Sequence, residues 1–351
     1  MKAVVKTERG EGHVELRDVP TPELRPGWVV LDVRATGICG TDVHILHDEH
    51  PYWPPVVLGH EFTGRISRLG EGVDGWEVGT RVVCEPHQGS CNVCHLCRRG
   101  LHQLCASKRS PGWGIDGAMA PQVTMPAHLL HRVPDEVSDV AAAACEPTAI
   151  AVSAVERCRV EPGDTVLVFG PGPIGLLSAM VARACGAGEV VVVGRASSAR
   201  RLEAARGLGL TVWDSGDVDV PTAAKELTRG RGVDLVLETS GSAQAIAQAV
   251  DSLRRRGRLC AIGVSGRPTL EVPWDRAMFA ALDVSFSFSS SFTSWDAALQ
   301  LMRSGGVQIE PLVTSFPLAR WADAFRAVEE RAVVKALLVP DGTADARAVE
   351  S

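Results

Sequence analysis

A regular alternation of apolar strands and alanine-rich helices in the second half of the chain constrains the fold more than any other feature. From Pro162 onward, strand-like runs alternate with helix-like runs: DTVLVFG, PIGLLSAMVARACGA, EVVVVGR, SSARRLEAARGLG, VDLVLETSG, SAQAIAQAVDSLRRRG and RLCAIGV. Strands that alternate with helices of this length form β-α-β units and a parallel sheet. We therefore expect an α/β domain with a doubly wound parallel sheet.

The loop between the first strand and the first helix of this series carries glycines at a particular spacing. The run GPGPIG contains Gly170, Gly172 and Gly175 in the pattern G-x-G-x-x-G, with Pro173 and Ile174 between them. The first glycine allows a tight turn, the second lets a pyrophosphate approach, and the third lets the helix pack on the strand. Turn glycines without a ligand are the alternative, but the order strand, loop, helix, strand favours a Rossmann dinucleotide site.

The second strand of the series ends in arginine, where NAD-binding sites place an acidic residue for the ribose hydroxyls. Arg195 follows VVVVG, and Arg200 lies five residues later. A guanidinium can pair bidentately with a 2′-phosphate, which a carboxylate would repel. The pattern predicts that NADP(H) is preferred over NAD(H), with both arginines at the phosphate. A solvated helix start is the other explanation of these arginines.

The first third of the chain is β-rich, with short strand-like runs separated by glycine and proline turns. These runs predict a twisted, barrel-like β domain: KAVVK, WVVLDVRATGIC, TGRISRLG and GTRVVCEP. After about Ser290, the helix-like runs SWDAALQLMRSG and ARWADAFRAVEERA precede a last strand, VVKALLVP. The polar tail from Asp341 is expected to be mobile.

Composition narrows the cellular setting and the class of partner. The formal charge of -6 leaves no basic surplus for nucleic acid, and neither the start MKAVVKTERG nor any apolar run predicts a signal peptide or a membrane span. We expect a cytoplasmic protein with a small-molecule substrate, no nucleic-acid partner and no membrane partner. In a reducing compartment the ten cysteines do not predict disulfides.

Four of those cysteines are clustered within fifteen residues, in the run CNVCHLCRRGLHQLC. One turn of a C-x-x-C segment directs two sulfurs at a single ion, and four thiolates complete the closed tetrahedral site of structural zinc. A four-thiolate site has no position for substrate, so it would stabilise a lobe, residues 84–110, and the chemistry would lie elsewhere. The predicted ligands are Cys91, Cys94, Cys97 and Cys105.

Three further runs complete a resemblance that covers nearly the whole chain: GICGTDVH, LGHEFTGRISRLGEGV and CEPTAIAV. Together with the four cysteines and the glycine loop, in this order and approximate spacing, they make the chain resemble the zinc-dependent medium-chain alcohol dehydrogenases. The sorbitol and threonine dehydrogenase-like branch is the most similar. The GHE segment with its later glycines, the four-cysteine lobe and the glycine loop are three independent motifs, and together they make the resemblance specific.

The resemblance implies a second, catalytic zinc ion. Cys39 matches the family's thiolate ligand and His60 its imidazole ligand, while Glu61 and Glu146 match the two carboxylates that bind the ion or stand beside it. Thr41 matches the hydroxyl that accepts the proton of the alcohol, and His44 lies where the family often continues the proton relay to solvent. Two zinc ions per chain are therefore expected. The resemblance does not decide which glutamate is the ligand.

The resemblance also implies an architecture, in which a Rossmann domain is inserted into a β-rich, GroES-like catalytic domain. The expected boundaries are 1–152 for the catalytic domain, 153–291 for the dinucleotide domain and 292–351 for the return to the catalytic domain. The family often forms homodimers or homotetramers. Periodicity alone would have allowed a third domain at the end of the chain.

The activity predicted from these residues is hydride transfer between NADP(H) and a secondary alcohol or its ketone, with a polyol or sugar-like substrate. Three alternatives stay open at this point. They are an NAD-dependent polyol or amino-alcohol dehydrogenase, a reductase of an activated C=C bond or an aldehyde, and a nucleotide-binding protein without turnover. Thr41 and both carboxylates favour the dehydrogenase.

Overall fold

The computed structural model describes residues 1–340, so the tail from Asp341 lies outside the described residues. The chain divides into two compact units. Unit 1 contains Met1–Glu146, Ser291–Leu299 and the described residues from Leu312 onward, and unit 2 contains Pro147–Ser290 and Gln300–Pro311. The domain boundaries given above stay a prediction.

Sixteen strands and ten α-helices occur within residues 1–340. The strands are β1 (Lys2–Lys6), β2 (Val14–Asp18), β3 (Trp28–Gly37), β4 (Val56–Val57), β5 (Glu61–Leu69), β6 (Arg81–Cys84), β7 (Gln122–Pro126), β8 (Leu130–Arg132), β9 (Thr165–Phe169), β10 (Glu189–Gly194), β11 (Thr211–Asp214), β12 (Val233–Glu238), β13 (Leu253–Ala261), β14 (Asp283–Phe286), β15 (Val313–Pro317) and β16 (Lys335–Val339). The helices are α1 (Gly40–Leu46), α2 (Asp139–Ala143), α3 (Cys145–Cys158), α4 (Pro173–Ala184), α5 (Ala199–Gly207), α6 (Val220–Leu227), α7 (Ala243–Ser252), α8 (Trp274–Phe279), α9 (Phe292–Arg303) and α10 (Trp321–Glu329). None of these helices is both long and apolar enough to cross a membrane.

Unit 2 is built on a six-stranded sheet in the order β11-β10-β9-β12-β13-β14, and every pair of neighbours is parallel. Its central strands are apolar at almost every position because helices cover both faces of a doubly wound sheet. Val191 and Leu167, for example, are fully buried on one face with Val220 of α6 and Ala249 of α7. The parallel sheet predicted from the alternating pattern is confirmed.

The structure differs from the sequence pattern at three places in unit 2. The short strand β11 and the helix α6 lie between the second and third strands, where the pattern singled out neither. The run LRRRG, which reads as the end of a helix, belongs to strand β13, because the buried Leu253 pairs with Val233 of β12. The serine-rich run after Asp283 includes strand β14, where Ser285 pairs with Cys260.

Unit 1 contains a three-stranded sheet, β2-β1-β4, and a seven-stranded sheet in the order β15-β16-β3-β5-β6-β8, with β7 paired to β3. Strand β3 is central, since it pairs with β5, β7 and β16, all antiparallel. In this register Gly37 at the end of β3 faces Glu61 at the start of β5 and also faces Leu337 of β16. The end of β3 and the starts of β5 and β16 therefore lie together at one edge of the sheet.

Candidate zinc and dinucleotide sites

This sheet edge brings together three residues predicted to bind the catalytic zinc. Cys39 lies two residues beyond the end of β3, His60 lies just before β5, and Glu61 begins β5. One ligand atom from each residue lies within 4.8 Å of the other two, and the histidine and the glutamate are buried. Sulfur, nitrogen and oxygen donors in one small cluster are a set that zinc accepts. The residues present therefore fit the ion that the sequence predicts.

A buried lysine lies beside this cluster. The Lys335 ammonium, at the start of β16, donates to the Ile38 carbonyl at 3.0 Å and forms an ion pair with the Glu61 carboxylate. Burial opposes the charge on Lys335, but Glu61 and Cys39 outweigh it and raise its pKa. Gly37 leaves room for the pair, since a Cβ there would meet Glu61 Oε2 at 2.2 Å. The lysine therefore holds Glu61 against the sheet edge.

His60 is surrounded by anionic groups. Burial opposes its protonation, yet Cys39, Asp42 and Glu146 together raise its pKa to about 10. Its Nδ1 atom lies 3.9 Å from Asp42 Oδ1, and neither atom has a hydrogen-bond partner among the described residues. Asp42 is held in turn by the Cys39 backbone N–H, which donates to its other oxygen at 2.8 Å. A metal-ligating histidine usually has such a carboxylate behind it.

Glu146, in the first turn of α3, lies outside this three-donor group but within its electrostatic field. It is 5% exposed, and burial raises its pKa to about 7. The charges of His60, Lys335 and Lys108 lower that pKa, while the charge of Glu61 raises it. The structure thus brings three of the four predicted donors within 4.8 Å of one another and leaves the fourth as a neighbouring buried carboxylate.

The two predicted proton-relay residues lie on α1. Thr41 is half-buried, with its hydroxyl 3.7 Å from the Cys39 sulfur, and His44 is exposed and paired with Glu49 at 2.7 Å. His50 is a further histidine in this region, and burial lowers its pKa, as do the charges of His60 and His44. Sequence reasoning gave no role to His50, Asp42, Lys108 or Lys335. Asp42 lies inside a recognised motif, whereas nothing in the local sequence marks Lys335.

The four cysteines of the lobe also converge on one point. Their sulfur atoms all lie within 4.8 Å of one another, and the Cys105 and Cys91 sulfurs are 3.5 Å apart. Thiolates bound tetrahedrally to zinc at 2.3 Å are about 3.8 Å apart. All ten cysteines, which lie within the described residues, are free thiols. The cluster therefore has the dimensions of a zinc site and not of a disulfide.

Backbone N–H groups in the lobe point at the sulfurs. The N–H groups of Cys94 and Cys97 each donate to the sulfur three residues earlier, at 3.4 and 3.5 Å. The backbone N–H groups of Cys91 and Ser107 lower the pKa of Cys105 to about 6. Hydrogen bonds to the charged form favour thiolate, which is the form that binds metal. These hydrogen bonds come from the backbone of the loop itself, so the loop can favour metal-binding thiolates without side chains from elsewhere in the chain.

The glycine loop of unit 2 has the geometry of a dinucleotide site. It joins β9 to α4, and Gly170 has φ +103, a conformation that disfavours any residue with a side chain. A Cβ on Gly175 would meet the Gly170 carbonyl at 1.8 Å, so the close packing of helix on strand requires glycine. Gly172 is the N-cap of α4, with Pro173 as the first helical residue and Ile174 behind it. The free N–H groups of this twelve-residue helix are available to a phosphate.

Arg195 directly follows β10, the neighbour of β9 in the sheet. Its guanidinium donates to the side-chain oxygen of Gln244, near the start of α7. Arg200 lies in the first turn of α5. Arg195 is exposed, as a group that binds the ribose end of a dinucleotide must be. Both arginines therefore lie on the segment between the carboxyl end of β10 and the first turn of α5.

Comparison with known proteins decides the family. Residues 25–135 match the alcohol dehydrogenase GroES-like domain, and residues 173–304 match the zinc-binding dehydrogenase domain. A sorbitol dehydrogenase of Halalkalibacterium halodurans is 36% identical over 342 residues, which cover 97% of this chain and 99% of the relative. The chain belongs to the zinc-dependent medium-chain alcohol dehydrogenases. The family and the fold class predicted from the sequence, a Rossmann sheet with a GroES-like domain, are confirmed.

Two other members of this family are similar over almost the full chain. A D-arabitol-phosphate dehydrogenase of Enterococcus avium is 32% identical and covers 96% of this chain and 97% of its own length. A solved structure described as a zinc-binding dehydrogenase from Sinorhizobium meliloti 1021 bound to NADP is 32% identical, with a TM-score of 0.90, and covers 97% of this chain and 99% of its own. As a member of this family, the chain is an alcohol dehydrogenase, and the roles of its individual site residues stay predictions.

Proposed function

We propose that this alcohol dehydrogenase interconverts a secondary alcohol of the polyol or sugar type with its ketone, using NADP(H). The observation that carries the proposal is the convergence of Cys39, His60 and Glu61 at one sheet edge, in a family whose members bind zinc. The sorbitol dehydrogenase and the D-arabitol-phosphate dehydrogenase support a hydroxylated substrate. The intact donor set favours turnover over simple nucleotide binding.

Cys39 and His60 would hold the catalytic ion, and Glu61 or Glu146 would complete its protein ligands. When bound, zinc acts as a Lewis acid that makes the hydroxyl of an alcohol a stronger acid and the carbon beside it a better hydride donor. Asp42 lies behind the His60 ring, with 3.9 Å between the Asp42 Oδ1 and His60 Nδ1 atoms, and would orient the ring by accepting a hydrogen bond from it when the ion is bound. Lys335 retains Glu61 by an ion pair, and Glu146 lies close enough for its charge to act on His60. Either glutamate can therefore be the variable ligand.

Thr41 is the group we propose to accept the hydroxyl proton of the substrate. Its hydroxyl lies beside the Cys39 sulfur and is half-buried, so it can donate in one direction and accept in the other. His44 lies three residues later on the same helix and is exposed, and residues at this spacing share a helix face. A proton taken by Thr41 can thus continue to solvent through His44, which its partner Glu49 orients.

A direct test combines metal analysis with turnover. Purified protein should contain two zinc ions per chain and should reduce NADP⁺ in the presence of a hexitol or pentitol. Removal of the more labile zinc by a chelator should abolish turnover, and added zinc should restore it. Full turnover by protein that retains only the zinc of the cysteine lobe would contradict the proposal.

The NADP(H) preference rests on Arg195 and Arg200, and the NADP-bound relative supports it. A charge-assisted pair with phosphate contributes about 1.5–3 kcal/mol, or roughly ten- to a hundredfold in affinity. We expect Arg195→Asp to reduce or reverse the preference by that factor, because a carboxylate repels the 2′-phosphate and accepts hydrogen bonds from the free hydroxyls of NAD. The measurement is the ratio of kcat/KM for the two cofactors at fixed salt.

Arg206→Asp is the matched control, because it makes the same charge change further along α5, at an exposed arginine that pairs with Glu203. It should leave the cofactor ratio almost unaltered. A wild-type preference for NAD(H), or equal ratios in the wild type and Arg195→Asp, would mean that the arginines are only a solvated helix start.

A further inference from the structure

Two loops of unit 1 form an aromatic wall of three residues, His50, Trp53 and Trp113, of which Trp53 is exposed and the other two are half-buried. The Trp53 N–H donates to the Trp113 carbonyl at 2.9 Å, so the loops are joined through the backbone. The two indole rings stack with their centroids 6.0 Å apart, and the His50 ring meets Trp113 edge-on at 5.4 Å. Trp53 is nevertheless 42% exposed. An aromatic surface that is fixed in place and open to solvent is typical of a binding wall.

A fixed arginine lies on this wall. The Arg109 guanidinium is 3.6 Å from the centre of the Trp53 ring. Its backbone carbonyl accepts from the Gly89 N–H at 3.1 Å, and its side chain fills the space beside Gly114, where a Cβ would meet its Cδ at 2.8 Å. Among residues 1–340 no carboxylate pairs with Arg109. A stacked guanidinium keeps its N–H edge available, and a carboxylate or a phosphate matches that edge.

The aromatic wall and its arginine are near the predicted zinc ligands. Gly112, the neighbour of Trp113, packs on Gly59, the neighbour of His60, since a Cβ on Gly112 would meet the Gly59 backbone nitrogen at 2.8 Å. Lys108, the neighbour of Arg109, is half-buried, and the charge of Glu146 acts on it. On the other loop, the charge of His60 acts on His50. Both loops thus lie within electrostatic range of the metal donors. The loop that carries Trp113 therefore contacts the segment that carries His60.

We propose that Arg109, with Lys108 adding positive charge, binds an anionic group at the end of the substrate away from the reacting carbinol, while Trp53 and Trp113 pack against the C–H face of its carbon chain. The inference rests on the proposed function, because it narrows the polyol class to polyols that carry a carboxylate or a phosphate. Arginine binds both anions through the same N–H edge, so the structure supports the shared chemistry.

The test measures binding separately from turnover. Zinc-loaded protein saturated with NADPH cannot oxidise an alcohol, so calorimetry on this complex reports affinity alone. Three ligands of equal carbon number are compared: a neutral polyol, the corresponding aldonate and the corresponding polyol phosphate. We expect one of the two anions to bind at least tenfold more tightly than the neutral polyol, and the tighter anion identifies the natural group. Arg109→Met should reduce this preference roughly tenfold or more.

Arg99→Met, an exposed arginine of the same lobe, is the control and should keep the preference. Zinc content and thermal stability show whether each variant is folded, and the wild-type preference needs no variant at all. Equal binding of the neutral polyol and both anions by the wild type would overturn the inference, and so would a preference that survives in folded Arg109→Met. Turnover of the same ligands with NADP⁺ tests the proposed function separately. Tight anion binding without turnover would contradict that function and support the anion site.

Discussion

The cysteine lobe and the Cys39 cluster both gather metal donors, but they take them from different kinds of chain segment. All four donors of the lobe come from one stretch of fifteen residues, and backbone N–H groups of the same stretch contact their sulfurs. The Cys39 cluster takes its donors from the end of β3 and the start of β5, and the neighbouring carboxylate of Glu146 from the start of α3. The first site follows from local geometry, whereas the second exists only once strands pair in the correct register.

The two clusters also differ in how many coordination positions their donors fill and in whether the donors have other partners. Four sulfurs fill a tetrahedral ion, so the lobe has no position for another ligand. The Cys39 cluster offers three donors of different chemistry, and one of them, Glu61, is already paired with Lys335. Lys335 and a metal ion would therefore compete for the Glu61 carboxylate. Such competition suits a site that exchanges ligands during catalysis. The comparison predicts that damage to the lobe costs stability and that damage to the Cys39 cluster costs activity.

The largest effect is expected for His60→Ala. The substitution removes a donor that the cluster cannot replace, so the metal should be lost. Loss of Lewis-acid catalysis raises the activation free energy by several kcal/mol, so kcat/KM should fall at least about a thousandfold. Zinc content should fall from two ions per chain to one. NADPH should still bind, because the glycine loop belongs to unit 2. His95→Ala, an exposed histidine of the lobe, is the control and should keep both ions.

For Cys94→Ser we expect the main loss to be in stability, whereas for His60→Ala it is in activity. An incomplete ligand set releases the zinc of the lobe, and loss of a structural metal is among the few single changes that cost about 4 kcal/mol or more. Metal analysis and limited proteolysis should show one zinc ion lost and cleavage within residues 84–110. Cys185→Ser, at an exposed cysteine of unit 2, should show neither. If Cys94→Ser keeps two ions and resists proteolysis, the lobe holds no structural zinc.

The sequence predicts the two sites to different extents, because the donors of one are local in the chain and those of the other come from separate strands. The cysteine cluster and the glycine loop are recognisable because their residues are close in the chain and their spacing has a direct geometric meaning. Cys39 and His60 could be paired only through the family resemblance, since nothing local reports that β3 and β5 are neighbours. Lys335 was missed entirely, because it lies 274 residues from Glu61 and its run VVKALLVP reads as an ordinary strand.

Secondary structure shows the same limit. The long apolar strands β9, β10 and β12 are clear in the sequence, because both faces of a parallel sheet are buried. The strand β11 is four residues long and only partly buried, so it lacks that signal. Leu253 reads as helical from its neighbours and becomes a strand residue because tertiary pairing with β12 overrides the local preference.

The competition for Glu61 can be tested with Lys335→Met. Methionine fills the space without a charge, so the buried Glu61 carboxylate loses its ion-pair partner, and a bound metal ion would compensate for that loss. Removing one partner of a buried ion pair costs about 3 kcal/mol or more. We expect the metal-free protein to lose that stability and the zinc-loaded protein to lose much less, which thermal unfolding with and without chelator measures. Equal losses in both forms, or a similar difference in the exposed control Lys2→Met, would mean that Lys335 does not compete with the metal.

The smallest expected effect concerns the first residues of the lobe. Glu85 follows β6, and its carboxylate contacts the buried His131, whose other ring nitrogen pairs with Asp296 at 2.8 Å. His87 also faces Glu85, and the rings of Trp295 and Phe292 pack on His131.

Burial opposes the charge on His131, but its hydrogen bonds to Glu85 and Asp296 outweigh burial and raise its pKa. A histidine whose folded-state pKa is raised contributes stability that is fully present below its unfolded pKa of about 6.5 and is lost as the pH rises through the folded value. Asp296→Asn should therefore be less stable than the wild type at about pH 6, and the difference should shrink towards about pH 9. Asp323→Asn is the matched control, because its partners Arg320 and Arg326 keep their charge over this range and its deficit should not change with pH. If Asp296→Asn loses the same stability relative to the wild type at both pH values, His131 does not titrate against Asp296. The start of the lobe is then held by packing alone.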